Sequence, residues 1–158
     1  MKICLECAEG GHLDEMLNII EAFEGNELFF ITTKAPSTEG LADDFKVYYT
    51  RRQYETRTKM AIYFREFLLI FKLIFRIFMI LRKEKPKVIV STGGGSTIPL
   101  CYWGKIFGIK IIYIESLARV NSPSLTGKIV HPITDIFLVQ WKSMLQFYKR
   151  AEFWGRSL

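Results

Sequence analysis

Two glycine-rich turns follow apolar segments of this chain of 158 residues, and their composition suits phosphate binding. The first turn is AEGGH at residues 8–12, and the second is STGGGS at residues 91–96. Glycine lets a ligand approach the main chain, and a helix that begins after the turn adds positive potential from its free N–H groups. Close packing of a helix on a sheet would require the same glycines, so both explanations stay open. The glycines that we expect to contact a ligand are Gly10, Gly11, Gly93, Gly94 and Gly95.

Two titratable side chains accompany these turns. His12 ends the first turn, where it could act as a general base or hydrogen-bond a ligand, or simply bond to a neighbour at a helix N-terminus. Glu115 ends the apolar run KIIYI at residues 110–114, so we expect it at the same edge of the sheet. A carboxylate there is either a base or an acceptor for backbone N–H groups. Residue type and spacing do not decide between these roles.

Several familiar cofactor motifs are absent from the sequence. Ile98 stands where the dinucleotide-binding pattern requires a third glycine, and the chain has no P-loop lysine motif. Cys4 and Cys7 have the spacing of a redox or metal pair, but they lie within the first apparent strand, which favours buried small hydrophobic residues. We therefore expect no metal site and no resident cofactor.

Short apolar segments alternate with segments of helical spacing, which brings the two turns to one edge of a sheet. The pattern predicts an α/β fold, a Rossmann-like open parallel sheet with helices on both faces. Ligands of such sheets bind beyond the carboxyl ends of the strands. No linker or repeat divides the chain, so residues 1–158 are predicted to form one domain. Strands are predicted at residues 2–7, 27–33, 45–49, 88–91, 109–115 and 135–140, and a final helix at residues 141–149.

The helix predicted at residues 60–83 is apolar nearly all round, yet it carries one line of cations. At about 100° per residue, these cations fall within roughly 40° of one another, and they interrupt the run of about 18 apolar residues that a transmembrane span needs. Either the helix lies in a membrane interface with its cations near lipid phosphates, or its apolar face packs on the sheet and its cations face water. Apolar residues on most sides favour the membrane. The cations are Arg65, Lys72, Arg76 and Lys83.

The overall composition also indicates an anionic partner. Apolar residues make up 49% of the chain, aromatic residues 15%, and the net charge is +6. A phosphorylated ligand or an anionic membrane surface fits this charge. Nucleic acid fits less well, because the cations lie among lipid-like residues instead of polar stacking positions, and we expect no nucleic-acid partner. Three cysteines and no secretory signal predict a reduced, cytoplasmic setting.

A series of motifs in the second half of the chain is recognisable. It comprises Y-x-E-S-x-x-R-V at residues 113–120, SLTGKI at 124–129 and VQW at 139–141, and it extends to GGH at 10–12 and RRQY at 51–54. Together these motifs resemble the acceptor-side, membrane-associated subunits of two-part GT-B glycosyltransferases, which include the Alg-fourteen subunits of N-glycosylation and bacterial PssD-type proteins. The glycine turns and the glutamate after the fifth strand are similar, more distantly, to the N-terminal half of MurG transferases.

The resemblance implies transfer of a sugar from a UDP-sugar, UDP-GlcNAc or another UDP-hexose or uronic acid, to a polyprenyl-diphosphate-linked sugar at the cytoplasmic membrane face. A separate donor-binding subunit of the Alg-thirteen or PssE type would bind most of the nucleotide-sugar. This chain would supply peripheral membrane attachment and the acceptor site, and would be inactive alone. The alternative is a non-catalytic membrane scaffold that recruits and activates a catalytic partner.

The resemblance also assigns roles by matched position. The two glycine turns would form two acceptor loops, and Glu115 with Ser116 and Arg119 would form the third. An inverting transfer would use His12 or Glu115 as its base, and we prefer Glu115 because its place at a strand end is better fixed. At the C-terminus, residues 151–158 carry Phe153 and Trp154, which we expect to dock on the partner subunit. Packing of this tail on its own domain is the alternative.

Overall fold

The computed structural model of the chain describes residues 1–50 and 61–157, with side chains described within residues 1–50 and 68–157. The RRQY motif lies outside the described residues. So does the side chain of Arg65, one of the four cations predicted to line the long helix.

The predicted parallel sheet is present. Its strands are β1 (Lys2–Cys7), β2 (Glu27–Thr33), β3 (Lys46–Thr50), β4 (Val88–Gly93), β5 (Lys110–Ile114), β6 (Ile136–Leu138) and β7 (Ala151–Glu152). Within the described part of the chain, all seven pair in parallel in the order β3-β2-β1-β4-β5-β6-β7. The chain runs outward from β1 to β3 and then returns to place β4 on the other side of β1. This reversal of direction opens a crevice at the carboxyl ends of β1 and β4, where ligands of such sheets bind.

Helices cover the sheet between the strands. They are α1 (Gly11–Leu17), α2 (Pro36–Glu39), α3 (Leu41–Asp44), α4 (Ala61–Glu84), α5 (Thr97–Ile106) and α6 (Leu125–Val130), with 3₁₀ turns at Ile20–Phe23 and Lys142–Gln146. The boundaries follow local chemistry. The Ser124 hydroxyl accepts the N–H of Gly127 and caps the start of α6. Lys85, with a positive φ of 49°, and the proline after it end α4.

The prediction for the end of the chain is wrong. The helix expected at residues 141–149 is instead the 3₁₀ turn Lys142–Gln146, followed by the short strand β7. One turn is enough to bury Met144 and Tyr148 against the sheet, so the apolar spacing of this segment matched a helix without requiring one. Strand β7 has two residues, too few to show any alternation in the sequence.

The core lies on both faces of the sheet. On one face, α1 packs Leu13 and Met16 against Ile3 and Leu5 of β1. Alternate side chains of β1 point to the other face, where Cys4 meets the buried side of α4. The strands are therefore buried from both sides, as the predicted doubly covered parallel sheet requires. The α4 residues that are buried on the sheet are Ile77, Ile80 and Leu81.

A cluster of charges fixes the C-terminal end of α4 at the amino edge of the sheet. The buried carboxylate of Glu84 accepts hydrogen bonds from Lys2 Nζ at 3.0 Å, Lys46 Nζ at 2.7 Å and the Tyr48 hydroxyl. Burial by itself would raise the pKa of Glu84, but hydrogen bonds from Lys46, Tyr48 and Lys2 outweigh it and lower the pKa to about 2. The cluster ties α4 to β1 and β3.

Candidate functional site

The structure brings the two predicted glycine turns together in the crevice between β1 and β4. Cys7 of β1 pairs with Gly93 of β4, and the N–H of Ala8 donates to the Gly93 carbonyl at 2.8 Å. The Thr92 hydroxyl donates to the main-chain carbonyl of His12 at 2.7 Å, which links the end of β4 to the start of α1. The two turns therefore form one continuous surface of main-chain groups.

Packing explains two of the three consecutive glycines. Gly93 has a positive φ of 110°, and a Cβ there would lie 3.1 Å from Cε1 of His12. A Cβ on Gly94 would lie 2.8 Å from Oε1 of Glu6 and 3.0 Å from the main-chain nitrogen of Ala8. Gly95 is exposed, and a Cβ on Gly11 would meet nothing within 4 Å. The inner glycines allow the turns to pack closely, and the outer ones leave open space on the solvent side.

His12 lies at the centre of this surface. Its ring is next to Gly93 and is partly exposed. Its Nδ1 atom is buried and has no hydrogen-bond partner among the residues that the structure describes. Because this nitrogen is covered by the protein, a ligand that hydrogen-bonds or exchanges a proton with His12 must approach the exposed side of the ring.

Glu115 occupies a different environment. Only 1% of the residue is exposed. Its Oε2 accepts hydrogen bonds from the Ser124 hydroxyl at 3.0 Å and the Tyr148 hydroxyl at 2.5 Å, and its Oε1 accepts the N–H of Ser116 at 3.1 Å. This is the structural-acceptor role that the sequence left open, since Glu115 holds the start of α6. We therefore favour His12 over Glu115 as the base, which reverses the sequence-based preference.

Two further buried carboxylates lie at this edge, and neither was predicted from the sequence. Glu6 accepts hydrogen bonds from the hydroxyls of Ser91 at 2.6 Å, Ser96 at 2.6 Å and Thr97 at 2.8 Å. Burial raises the pKa of Glu6, and these hydrogen bonds offset only part of the effect. A carboxylate within the apolar strand KICLEC was the available signal, because a charge is rarely buried there without partners.

The second of these carboxylates, Glu15, organises the predicted third loop. It accepts the Ser116 hydroxyl at 3.0 Å, the N–H of Leu117 at 3.1 Å and the side-chain amide of Gln140 at 3.0 Å. Burial raises the pKa of Glu15. The hydroxyl of Ser116 is thus directed toward the protein, while Arg119 is exposed and free to face a ligand. Glu15 lies three residues after His12, one helical turn along α1. This spacing places both side chains on one side of the helix, and it was the signal in the sequence that could have identified Glu15.

Helix α4 presents a mixed apolar and basic surface to solvent. Lys72, Arg76 and Lys83 are exposed, and Phe75 and Met79 lie within about 60° of Lys72 on the helix. Exposed fractions reach 64% for the phenylalanine and 49% for the methionine. Exposed side chains of α5 and of Phe107, the residue after it, continue this surface, which we name the α4–α5 surface. Its apolar members are Leu68, Phe71, Phe75, Met79, Tyr102, Ile106 and Phe107.

The packing of α4 on the sheet is confirmed, and contact of its exposed side with a membrane stays a prediction. One side of α4 packs on the sheet, and apolar residues still remain exposed beside the cations. Phe78 joins the two helices, with its ring centroid 4.9 Å from that of Trp103 and 5.6 Å from that of Phe107. Across the described ranges, no helix combines the length and the apolar character that are needed to cross a bilayer.

The C-terminal tail folds back on its own domain at most positions. Phe153 packs beside the core of β6, and Lys142 Nζ lies 5.6 Å from its ring centroid. The N–H and hydroxyl of Ser157 both donate to Oε1 of Gln140 at 2.8 Å. Arg156 stacks on the ring of Trp141 at 3.8 Å. Trp154 differs from Phe153, because 67% of it is exposed. Phe153 thus packs on its own domain, which is the alternative to docking on a partner, and Trp154 keeps an exposed face.

Comparison with known proteins agrees with this architecture. The family model "Oligosaccharide biosynthesis protein Alg14 like" matches residues 3–157. The UDP-N-acetylglucosamine transferase subunit ALG14 of Candida albicans is 34% identical over 175 residues, which cover 98% of this chain and 80% of that protein. The Schizosaccharomyces pombe subunit of the same name is 48% identical over 75 residues, covering 44% of this chain and 36% of that one.

Among solved structures, MurG of Acinetobacter baumannii superposes with a TM-score of 0.71 at 15% identity. The match covers 90% of this chain and 42% of MurG, so the chain spans less than half the length of that enzyme. At this identity the likeness shows the fold, which is that of the N-terminal half of GT-B glycosyltransferases. Together with the full-length family match, these comparisons show that the chain belongs to the Alg14 family of oligosaccharide biosynthesis proteins.

Proposed function

We propose that this chain is the acceptor-binding, membrane-attached subunit of a heteromeric, inverting glycosyltransferase. The transferred sugar comes from UDP-GlcNAc or a related UDP-sugar and goes to a polyprenyl-diphosphate-linked sugar. The observation that carries the acceptor role is the meeting of the two glycine turns beside the partly exposed ring of His12. The name of the Candida albicans relative, a UDP-N-acetylglucosamine transferase subunit, supports the choice of donor.

The chain corresponds to one of the two sheet domains that a GT-B enzyme places around its reaction cleft. It matches 42% of MurG, and a second domain is needed to complete such a cleft. We assign that domain to a separate donor-binding subunit of the Alg-thirteen or PssE type. Trp154 is the residue that we expect to contact it, because a large exposed indole at the carboxyl edge is typical of protein interfaces.

The proposed mechanism uses the turns for binding and His12 for proton transfer. Main-chain N–H groups of the turns and the exposed Arg119 bind the acceptor diphosphate. The acceptor hydroxyl attacks the anomeric carbon as the bond from that carbon to UDP breaks, and UDP leaves with the bonding electron pair. His12 takes the proton of the attacking hydroxyl, which is the role of a general base. Glu115 holds the loop before α6 and makes no contact with the reacting atoms.

Membrane attachment at the cytoplasmic face is assigned to the α4–α5 surface. Exposed Phe75 and Ile106 are suited to the acyl boundary, and Lys72 and Arg76 are suited to the lipid phosphates beside it. Each cation near an anionic leaflet contributes about 1 kcal/mol. This placement would bring a lipid-linked acceptor to the domain that carries the glycine turns.

The test is an assay of the chain co-expressed with its donor-binding partner, using a panel of UDP-sugars and a lipid-linked acceptor. We expect turnover from the pair, none from either subunit alone, and a loss of about 10²- to 10⁴-fold for His12→Ala in an intact complex. Trp154→Ala should weaken co-purification, while Phe147→Ala, at another exposed aromatic residue, serves as a control.

The scaffold alternative is the second candidate, and the engagement of Glu115 in four hydrogen bonds favours it by removing one candidate base. Full turnover by the His12→Ala pair would select the scaffold and reject the catalytic role.

A further inference from the structure

Glu6 is a buried carboxylate that the proposed mechanism does not use. It lies next to the last residue of β1, beside Ser91 of β4, and none of it is exposed. Cys4, two residues earlier on the same face of β1, belongs to the apolar core. An apolar side chain would continue that core, so the presence of a carboxylate here requires a reason beyond packing.

The contacts of Glu6 converge on one segment of the chain. Oε1 accepts the Ser96 hydroxyl, and Oε2 accepts the hydroxyls of Ser91 and Thr97. These donors are the first residue of the second glycine turn, its last residue and the residue just after it. One side chain of β1 therefore fixes both ends of that turn. A buried carboxylate without such donors would strongly destabilise the fold, so each donor is held in place by the charge that it satisfies.

The network reaches the main chain of the turn itself. The Ser91 hydroxyl, which donates to Glu6, also accepts the N–H of Gly93 at 3.1 Å. Gly94 lies directly above the carboxylate, where a Cβ would be 2.8 Å from Oε1. The ring of His12 lies beside Gly93, close enough that a Cβ added there would be 3.1 Å from its Cε1. The position of the turn relative to His12 is thus set by the carboxylate of Glu6 through Ser91 and Gly93.

We propose that Glu6 is a positioning residue that holds the second glycine turn in the conformation that binds the acceptor diphosphate. This inference rests on the proposed function of the site. Glu6 does not touch the acceptor. It acts through Ser91, Ser96 and Thr97, and it keeps the free N–H groups of the turn aligned before the ligand arrives, which spares the complex the entropy of ordering a glycine loop.

The experiment uses the reconstituted pair and measures two things. The first is binding of farnesyl diphosphate as a diphosphate probe, and the second is the KM for the lipid-linked acceptor and for the UDP-sugar. For Glu6→Gln we expect probe binding to weaken about tenfold and the acceptor KM to rise by a similar factor. The donor KM should stay within about twofold. An amide keeps the size of the side chain but replaces one acceptor oxygen with a donor that faces hydroxyl donors.

Matched variants separate positioning from general destabilisation. Glu84→Gln removes a buried carboxylate at the opposite edge of the same sheet, and it should lower stability without changing probe binding or the acceptor KM. Thr97→Val should weaken probe binding, and Thr97→Ser, which restores the hydroxyl, should recover it. This second pair decides the question even if Glu6→Gln does not fold.

The outcomes are distinct. If Glu6→Gln and Thr97→Val bind the probe as tightly as the wild type does, the positioning role is overturned. The proposed acceptor site is unaffected by that result. Equal losses in Glu6→Gln and Glu84→Gln overturn it as well, because the effect would then follow stability. If the wild-type pair does not bind the probe, the proposed acceptor site itself fails, and the role of Glu6 fails with it.

Discussion

The two edges of the sheet each bury a glutamate, and they satisfy it in opposite ways. At the amino edge, Glu84 is surrounded by Lys2, Lys46 and Tyr48, and its pKa is lowered to about 2. At the carboxyl edge, Glu6 is surrounded by hydroxyls, and burial raises its pKa. Lysines neutralise a charge and fasten elements together, whereas hydroxyls leave the charge in place and take their own orientation from it. The first arrangement suits stability, and the second suits the shaping of a loop.

Among the changes that test this contrast between the edges, the largest expected effect comes from Gly94→Ala at the carboxyl edge. The new Cβ would collide with Glu6 Oε1 and with the main chain of Ala8, so the turn must move away from His12. We expect kcat/KM for the acceptor to fall about 100-fold, as expected when a binding group is displaced by about 1 Å.

Gly40→Ala is the control for this change, because its Cβ would meet nothing within 4 Å and its φ is −62°. Normal kinetics in Gly94→Ala would show that the close packing of the turn on Glu6 does not matter to the acceptor site, and would break the comparison between the edges.

Charge reversal on α4 tests the α4–α5 surface, which belongs to neither edge of the sheet. The double variant Lys72→Glu with Arg76→Glu should lower binding to anionic liposomes at least about 30-fold, since each lost cation removes about 1 kcal/mol. Lys128→Glu on α6 is a matched exposed control. Sedimentation with vesicles of defined phosphatidylserine content measures the effect, and unchanged sedimentation of the double variant would reject the assignment of the α4–α5 surface.

Glu84→Gln should reduce stability at neutral pH without affecting the acceptor site. It removes the charge that draws Lys2 and Lys46 together, so we expect the Tm to fall by about 5 °C. Differential scanning calorimetry measures the change. If this variant has an altered acceptor KM, the two edges are coupled. The separation of a stabilising role for Glu84 from a loop-shaping role for Glu6 would then be wrong.

The smallest effect is a difference in pH dependence, and it has opposite signs at the two edges. The pKa of Glu84 is lowered, so its contribution to the free energy of unfolding is complete above its ordinary value near 4.5 and is lost as pH falls toward about 2. The pKa of Glu6 is raised, so the wild type should lose stability relative to Glu6→Gln as pH rises above about 4.5. Urea unfolding at pH 4 and pH 7 measures how the free energy of unfolding changes with pH in the wild type, in Glu6→Gln and in Glu84→Gln. If the contributions of Glu6 and Glu84 change with pH in the same direction, the contrast between the two edges is wrong.

The sequence was sufficient to predict the sheet and the edge at which the candidate site lies. Alternation of apolar runs with helical spacing identified six strands, and the glycine turns marked the carboxyl edge. It could not predict β7, because two residues in an edge strand show no period. It also could not decide the role of Glu115, because its burial depends on how the chain folds back to bring Ser124, nine residues later, and Tyr148, 33 residues later, onto the carboxylate. The same holds for Glu6, whose three donors come from a segment 85 to 91 residues later.

The uneven exposure of the three tryptophans has a practical consequence for studying assembly. Trp103 is stacked among phenylalanines and Trp141 lies under a guanidinium, while Trp154 is mostly in water. Red-shifted emission that iodide can quench should therefore arise chiefly from Trp154. A blue shift of that component on mixing the subunits would report docking at the tail in real time, without any label attached to the protein.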